Sequence, residues 1–181
     1  MTIHQSRHHF AGFFMLGFLC GIFYTNFVAK NYVTVTGIFH EYFLSQYTQT
    51  KMVSEDYLWY LLKCRLVPFA VVALSARTRL KKPVVVLCLL WTGFSCGILA
   101  VGGVLRMGIA GILLCVAGML PQFLFYIPGY LIILWYLYQY PDSHWNGEKT
   151  VFTAVMMMAG IFTEAYINPA VVRFFLGFTG K

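Results

Sequence analysis

The chain has 181 residues, 60% of them hydrophobic and only 10% charged, with a net charge of +7. A soluble globular domain carries about a quarter of its residues as charges, so this balance excludes one and points to an integral membrane protein. The basic residues sit in short runs beside apolar stretches, where they orient the chain and meet anionic headgroups, so nucleic-acid binding is not expected.

The first residues, MTIHQSRHH, place Arg7 and three histidines ahead of an apolar run. Residues 10–28 are long enough to span, and no A-x-A-like site follows, so they read as a retained first span rather than a cleaved signal. Gly17 and Gly21 form a GxxxG face that permits close helix approach, although glycine is frequent in membrane helices generally. Residues 31–56 form the one long polar segment. Within it Ile38, Phe39, Tyr42, Phe43 and Tyr47 recur at helical spacing, an outer amphipathic stretch suited to the membrane interface.

The second span, 57–76, carries Lys63, Arg65 and Pro68. Arg77, Arg79, Lys81 and Lys82 follow it, four positive charges in six residues, and mark a cytoplasmic loop. The third span, 83–105, is entered through Pro83, which suits a helix's first turn. It holds a second GxxxG, Gly93 and Gly97, and the Gly102-Gly103 pair. Arg106-Met107 is so short a connection that the third and fourth elements should form an antiparallel hairpin.

The fourth element, 108–138, has thirty-one residues and no charge. As helix it would run about 46 Å, against a hydrocarbon core of ~30 Å. Pro121 and Pro128 each lack an amide donor and disturb the preceding turn. Two arrangements follow: one tilted, bent span, or a re-entrant half-helix (108–120) returning through a break at Pro121-Gln122 into a full span (about 122–138). Broken backbone at membrane depth needs protein or a wet cavity around it, so the remaining fold should wrap this element. Residues 140–149 read as a polar turn, 150–167 as a fifth span stopped by Asn168-Pro169, and 170–181 as a short apolar tail. Trp59, Trp135 and Trp145 should belt the interfaces.

The expected fold is therefore an all-α integral membrane protein, a compact bundle of about five transmembrane helices forming a single membrane domain over 1–181. With the 77–82 loop inside, the N-terminus is cytoplasmic and the C-terminus outside. Arg7 agrees, whereas Arg106, Arg173 and Lys181 dissent. Two crossings by 108–138 would invert the C-terminal part.

Ionisable groups at membrane depth are costly and are functional candidates by default. This topology puts Lys63 and Arg65 in the outer half of the second span, Arg106 at the outer end of the third and Glu164 near the outer end of the fifth. An ion pair of Glu164 with Arg65 or Arg106 would spare each the cost of burial alone. A purely structural pair is the simpler reading, set against a proton or ion relay that would have only one acid.

Gly93-Phe-Ser95-Cys-Gly97 matches G-x-S-x-G, but that motif works at a strand–turn–helix with a histidine in reach. Here it falls mid-span, and His4, His8, His9, His40 and His144 all fall in termini or loops. His4 with His8-His9 lacks an accompanying acid or cysteine, so no metal site is expected. Cys20, Cys64, Cys88, Cys96 and Cys115 are scattered singly and read as packing residues, without a CxxC. No catalytic residue and no cofactor are expected.

The overall pattern resembles the stage II sporulation protein M family of polytopic membrane proteins. The likeness lies in the basic N-terminus and first span, the outer polar segment, the basic loop and Gly-rich span, and the element LLCVAGMLPQFLFYIPGYLI. It extends to the ending GIFTEAYINP, with Gly160, Glu164, Asn168 and Pro169. Members often show a proline-histidine pair followed by an acid where this chain has Leu120-Pro121-Gln122, which leaves open a scaffold role but not one depending on that site. The resemblance implies a non-catalytic protein of the bacterial cytoplasmic membrane that acts in engulfment. It would recruit cell-wall hydrolases, stage II sporulation proteins D and P, at the septal membrane. Recognition would use segment 31–56 and the GxxxG faces, with membrane lipids as surroundings and self-association as a further expectation. The alternative is a small transporter or permease subunit, with the Pro121–Pro128 break lining a path and Arg65, Arg106 and Glu164 as gating charges.

Overall fold

The structure is a computed structural model that describes residues 3–28 and 55–179. Their regular elements are all helical: α1 (Ile3–Phe27), α2 (Glu55–Ser75), α3 (Lys81–Met107), α4 (Ile109–Tyr138), α5 (Gly147–Phe162), a π-helical turn (Thr163–Ile167) and α6 (Asn168–Thr179). Five stretches are long and apolar enough to cross a membrane: His8–Phe27, Tyr57–Ser75, Lys81–Leu105, Ile109–Tyr138 and Gly147–Phe175. Phe27, Leu87, Trp91 and Ile109 leave most of their surface uncovered by the chain. Apolar surface on that scale is tolerable only against lipid tails. The protein is an all-helical, multi-pass membrane protein. Of the amphipathic segment 31–56, all but Glu55 and Asp56 at the start of α2 lies outside the described residues.

Of the two arrangements open for 108–138 the chain takes the single span, without the break at its prolines, and the expected stop at Asn168-Pro169 fails. α4 runs unbroken from Ile109 to Tyr138 through both Pro121 and Pro128, so there is no half-helix and no second crossing. Each proline deletes one donor, but lipid offers the neighbouring carbonyls nothing better than the helix, which therefore persists. At about 45 Å, α4 outruns the hydrocarbon core and must tilt or reach into the headgroups. Nor do Asn168-Pro169 stop the fifth span. The Asn168 amide donates to the Thr163 carbonyl five residues back, and this widened turn takes up the misfit of Pro169, whose ring would press on the residue 165 carbonyl in a regular α-turn. The helix then continues as α6.

Contacts sort the chain into two units. The first joins α1 to residues Val86–Cys115. Here α1 and α3 approach through glycines: a Cβ on Gly17, Gly21, Gly93 or Gly97 would fall on the carbonyl oxygen of Leu90, Phe94, Phe14 or Phe18, respectively. The two GxxxG pairs face each other, so they are spent on internal packing rather than left as docking faces. Thr25, fully buried, returns its hydroxyl to the Gly21 carbonyl at 2.9 Å. The α3–α4 turn hinges on Gly108, whose φ of 60° is left-handed, a region that favours glycine. Beyond it Gly103 and Gly111 meet backbone to backbone.

The second unit comprises Thr50–Val85 and Val116–Lys181. Its core is Leu61, Tyr126, Met157, Ile161 and Ala165, with Phe69, Phe123 and Tyr130 packed against it. Leu61, Arg65 and Phe69 lie four apart on α2, and Gln122, Tyr126 and Tyr130 do so on α4, so each set shares one helix face. The Phe69 and Tyr130 rings meet edge to face at 5.5 Å.

Gly97→Leu should therefore destabilise the detergent-solubilised protein by more than the ~1–3 kcal/mol usual for overpacking, because backbone blocks the new side chain. Gly12→Leu should leave the melting temperature unchanged, since nothing lies within 4 Å of a Cβ there. Equal effects of the two changes in a thermal melt would contradict the packing described.

Candidate intramembrane charge site

In the second unit α2, α4 and the π-helical turn bring three polar side chains together inside the apolar core. Arg65 is the central residue of α2 and Tyr126 lies well inside α4. Glu164 belongs to the π-helical turn, well inside the stretch Gly147–Phe175 and not near the end of a span as expected. The continuation of the helix through Asn168-Pro169 accounts for that difference.

The Arg65 guanidinium grips the Glu164 carboxylate with two nitrogens. Nε donates to Oε2 at 2.8 Å, and Nη2 pairs with Oε1. The Tyr126 hydroxyl donates to Oε2 at 2.7 Å, while the guanidinium carbon sits 5.4 Å from the Tyr126 ring centroid. Tyr126 thus holds the acid through its hydroxyl and the base through its ring face. Glu164 and Tyr126 are buried, and the Arg65 side chain is 40% uncovered.

Local sequence makes this geometry available. Gly160, one helical turn before Glu164, lies under the Tyr126 ring; a Cβ there would come within 2.6 Å of Cδ1. Only a glycine leaves room at this point of α5 for the Cδ1–Cε1 edge of the ring, whose hydroxyl reaches Glu164. The π-helical turn carries Glu164 and the buried Ala165 toward the core, and Thr163 returns its hydroxyl to the Ala159 carbonyl at 2.7 Å.

Chemically, this arrangement is a clamp. A carboxylate offers about four lone-pair sites, and three are taken by fixed donors. Guanidinium does not give up its proton in proteins, and the forked geometry resists rearrangement. Removing one member leaves a buried charge without its counterpart, which typically costs ~3–5 kcal/mol.

The remaining candidates fall elsewhere. Lys63 is exposed on another face of α2. Arg106 lies in the last turn of α3, with its side chain outside the described residues. Pro121 and Pro128 sit inside α4 without breaking it. Gln122 is buried, and its Nε2 donates to the Gly118 carbonyl at 2.9 Å. Its Oε1, Thr153 Oγ1 and Asn168 Oδ1 are buried acceptors without a hydrogen-bond partner among the described residues. Ser95 of the G-x-S-x-G match lies within α3, on no strand–turn–helix elbow. Among the described residues no three His, Cys, Asp or Glu side chains gather as metal ligands would. Tyr126 was missed by sequence reasoning, although its i, i+4 register with Gln122 and Tyr130 was a usable signal.

No protein-family model, curated protein or solved structure matches the chain.

Glu164→Ala should cost about 3 kcal/mol, the low end of the range for a broken buried pair because Arg65 is only partly covered. Gln122→Met should be neutral or stabilising by about 1 kcal/mol, since it removes a buried acceptor that is not satisfied. Denaturation of the purified variants in one detergent checks both signs.

Proposed function

We propose that this chain is a non-catalytic, multi-pass membrane scaffold or localisation protein. The observation that carries this reading is the closed Arg65–Glu164–Tyr126 clamp, in which two of the four charged candidates, Arg65 and Glu164, are bound to each other beside a packed core. A transport path needs charges that can exchange partners, and broken helices that present backbone to a substrate. The unbroken α4 removes the helix break on which a transporter reading depended.

The specific setting rests on the likeness to the stage II sporulation protein M family and on the residues that carry it. In that setting the protein lies in a bacterial cytoplasmic membrane, with its N-terminus and the Arg77–Lys82 turn facing the cytoplasm. It recruits cell-wall hydrolases to the septal membrane during engulfment. Since the GxxxG faces are used internally, recognition falls to the outer segment 31–56 and the lipid-facing helix surfaces.

In-membrane crosslinking of the tagged full-length protein in its own host, starved to induce sporulation, tests this reading. Recovery of a wall hydrolase, lost when 31–56 is replaced by an unrelated polar sequence, is the expected result. A protein recovered alone, together with solute or ion flux abolished by Glu164→Gln at normal protein level, would overturn it.

A further inference from the structure

The second unit contains a cavity that the clamp does not touch. The turn after α2 and the first residues of α3 meet the end of α4 around a volume of about 530 Å³. Arg77, Arg79, Lys81 and Lys82 line it. No carboxylate is among its lining residues; Asp142, two residues beyond Tyr140, is exposed and outside the lining. Four cations gathered around one concavity repel one another, and an anion seated among them relieves that repulsion.

Two further features narrow the kind of anion. The rest of the wall is Thr78 together with three apolar groups, Pro83, the Tyr140 ring and Leu137, the last with no accessible surface of its own. The Lys81 ammonium lies over that ring, 2.9 Å from its centroid, which fixes one cation in place. The cavity also sits where α2 ends, α3 begins and α4 ends, which is the level of the lipid headgroups for helices of this length. A hydrated free ion gains nothing from an apolar wall, whereas a headgroup carries phosphate and glycerol together. Basic pockets between membrane helices accept such groups, and the volume falls in the range of small-ligand sites.

We propose that this cavity binds the phosphate headgroup of an anionic phospholipid, with Arg77, Arg79 and Lys82 contacting the phosphate and the Lys81–Tyr140 pair shaping the seat. The site acts as a specific lipid anchor, beyond the general attraction of a basic loop to an anionic surface. It is independent of the scaffold reading.

Native mass spectrometry of the purified full-length protein, delipidated and titrated with phosphatidylglycerol, cardiolipin or phosphatidylcholine, tests this directly. The wild type should retain an anionic lipid at least about tenfold better than phosphatidylcholine. Arg79→Gln/Lys82→Gln should lose about tenfold or more of that retention, the size expected for two charges near a headgroup. Arg79→Lys should keep most of it. As a control of equal charge, Lys149→Gln/Arg173→Gln should behave as wild type. Equal loss in the control pair, or no preference over phosphatidylcholine, would overturn the proposal. Full displacement of the lipid by millimolar inorganic phosphate would also overturn it, in favour of a soluble-anion site. Arg79 and Lys82 lie in or beside an exposed turn, and an unchanged melting temperature in all the variants separates lost binding from lost folding.

Discussion

A carboxylate in the middle of a membrane span has to be answered, and Glu164 is the residue around which the second unit is built. In lipid its charge is costly whatever the rest of the chain does. Its answer comes from two helices at once: a forked pair of donors from Arg65 on α2 and a hydroxyl from Tyr126 on α4. Each answer imposes a further requirement. The Tyr126 ring needs the space that Gly160 leaves beside it, and Glu164 needs the π-helical turn that sets its direction. That same turn accommodates Pro169 and lets the helix continue into α6.

The first unit solves the same problem by other means. Lipid tails are as apolar as leucine, so no hydrophobic force presses membrane helices together, and close contact or polar contact must do so. Between α1 and α3 the contact is backbone against backbone at Gly17, Gly21, Gly93 and Gly97. A glycine interface holds by shape and tolerates no added carbon at these positions, whereas a charge clamp holds by pairing and tolerates no lost partner. Both devices fix helix register. The basic cavity at the α2–α3 turn is different in kind, because its charges face outward and lack acidic partners in its lining.

Much of this was legible in the sequence, and what was not legible has a physical reason. Apolar runs of membrane length give the five spans directly, and the scarcity of acids at membrane depth singles out Glu164. Which cation meets it depends on the rotation of two helices far apart in sequence, so residue patterns alone left Arg65 and Arg106 as alternatives. Tyr126 looked like one aromatic among many, since only packing distinguishes a lipid-facing phenol from a buried one. Pro121, Pro128 and Asn168-Pro169 were read as breaks because proline breaks helices in water. In a membrane the freed carbonyls have no water to turn to, so the helix bends or widens instead. The run Arg77–Lys82 signalled topology, but its gathering around Tyr140 and Leu137 depended on where α4 ends.

The most direct test of the account is a double-mutant cycle on Arg65→Met and Glu164→Met, reading both unfolding free energy and partner recovery. If the pair is a structural clamp, each single change is strongly destabilising. The double variant then recovers much of the loss, because replacing both members of a buried pair with apolar groups removes the unpaired charge, and under the proposed scaffold role it still recovers its partner. Additive losses would contradict the clamp. A double variant that is stable yet fails to recover its partner would contradict the claim that these charges serve structure alone.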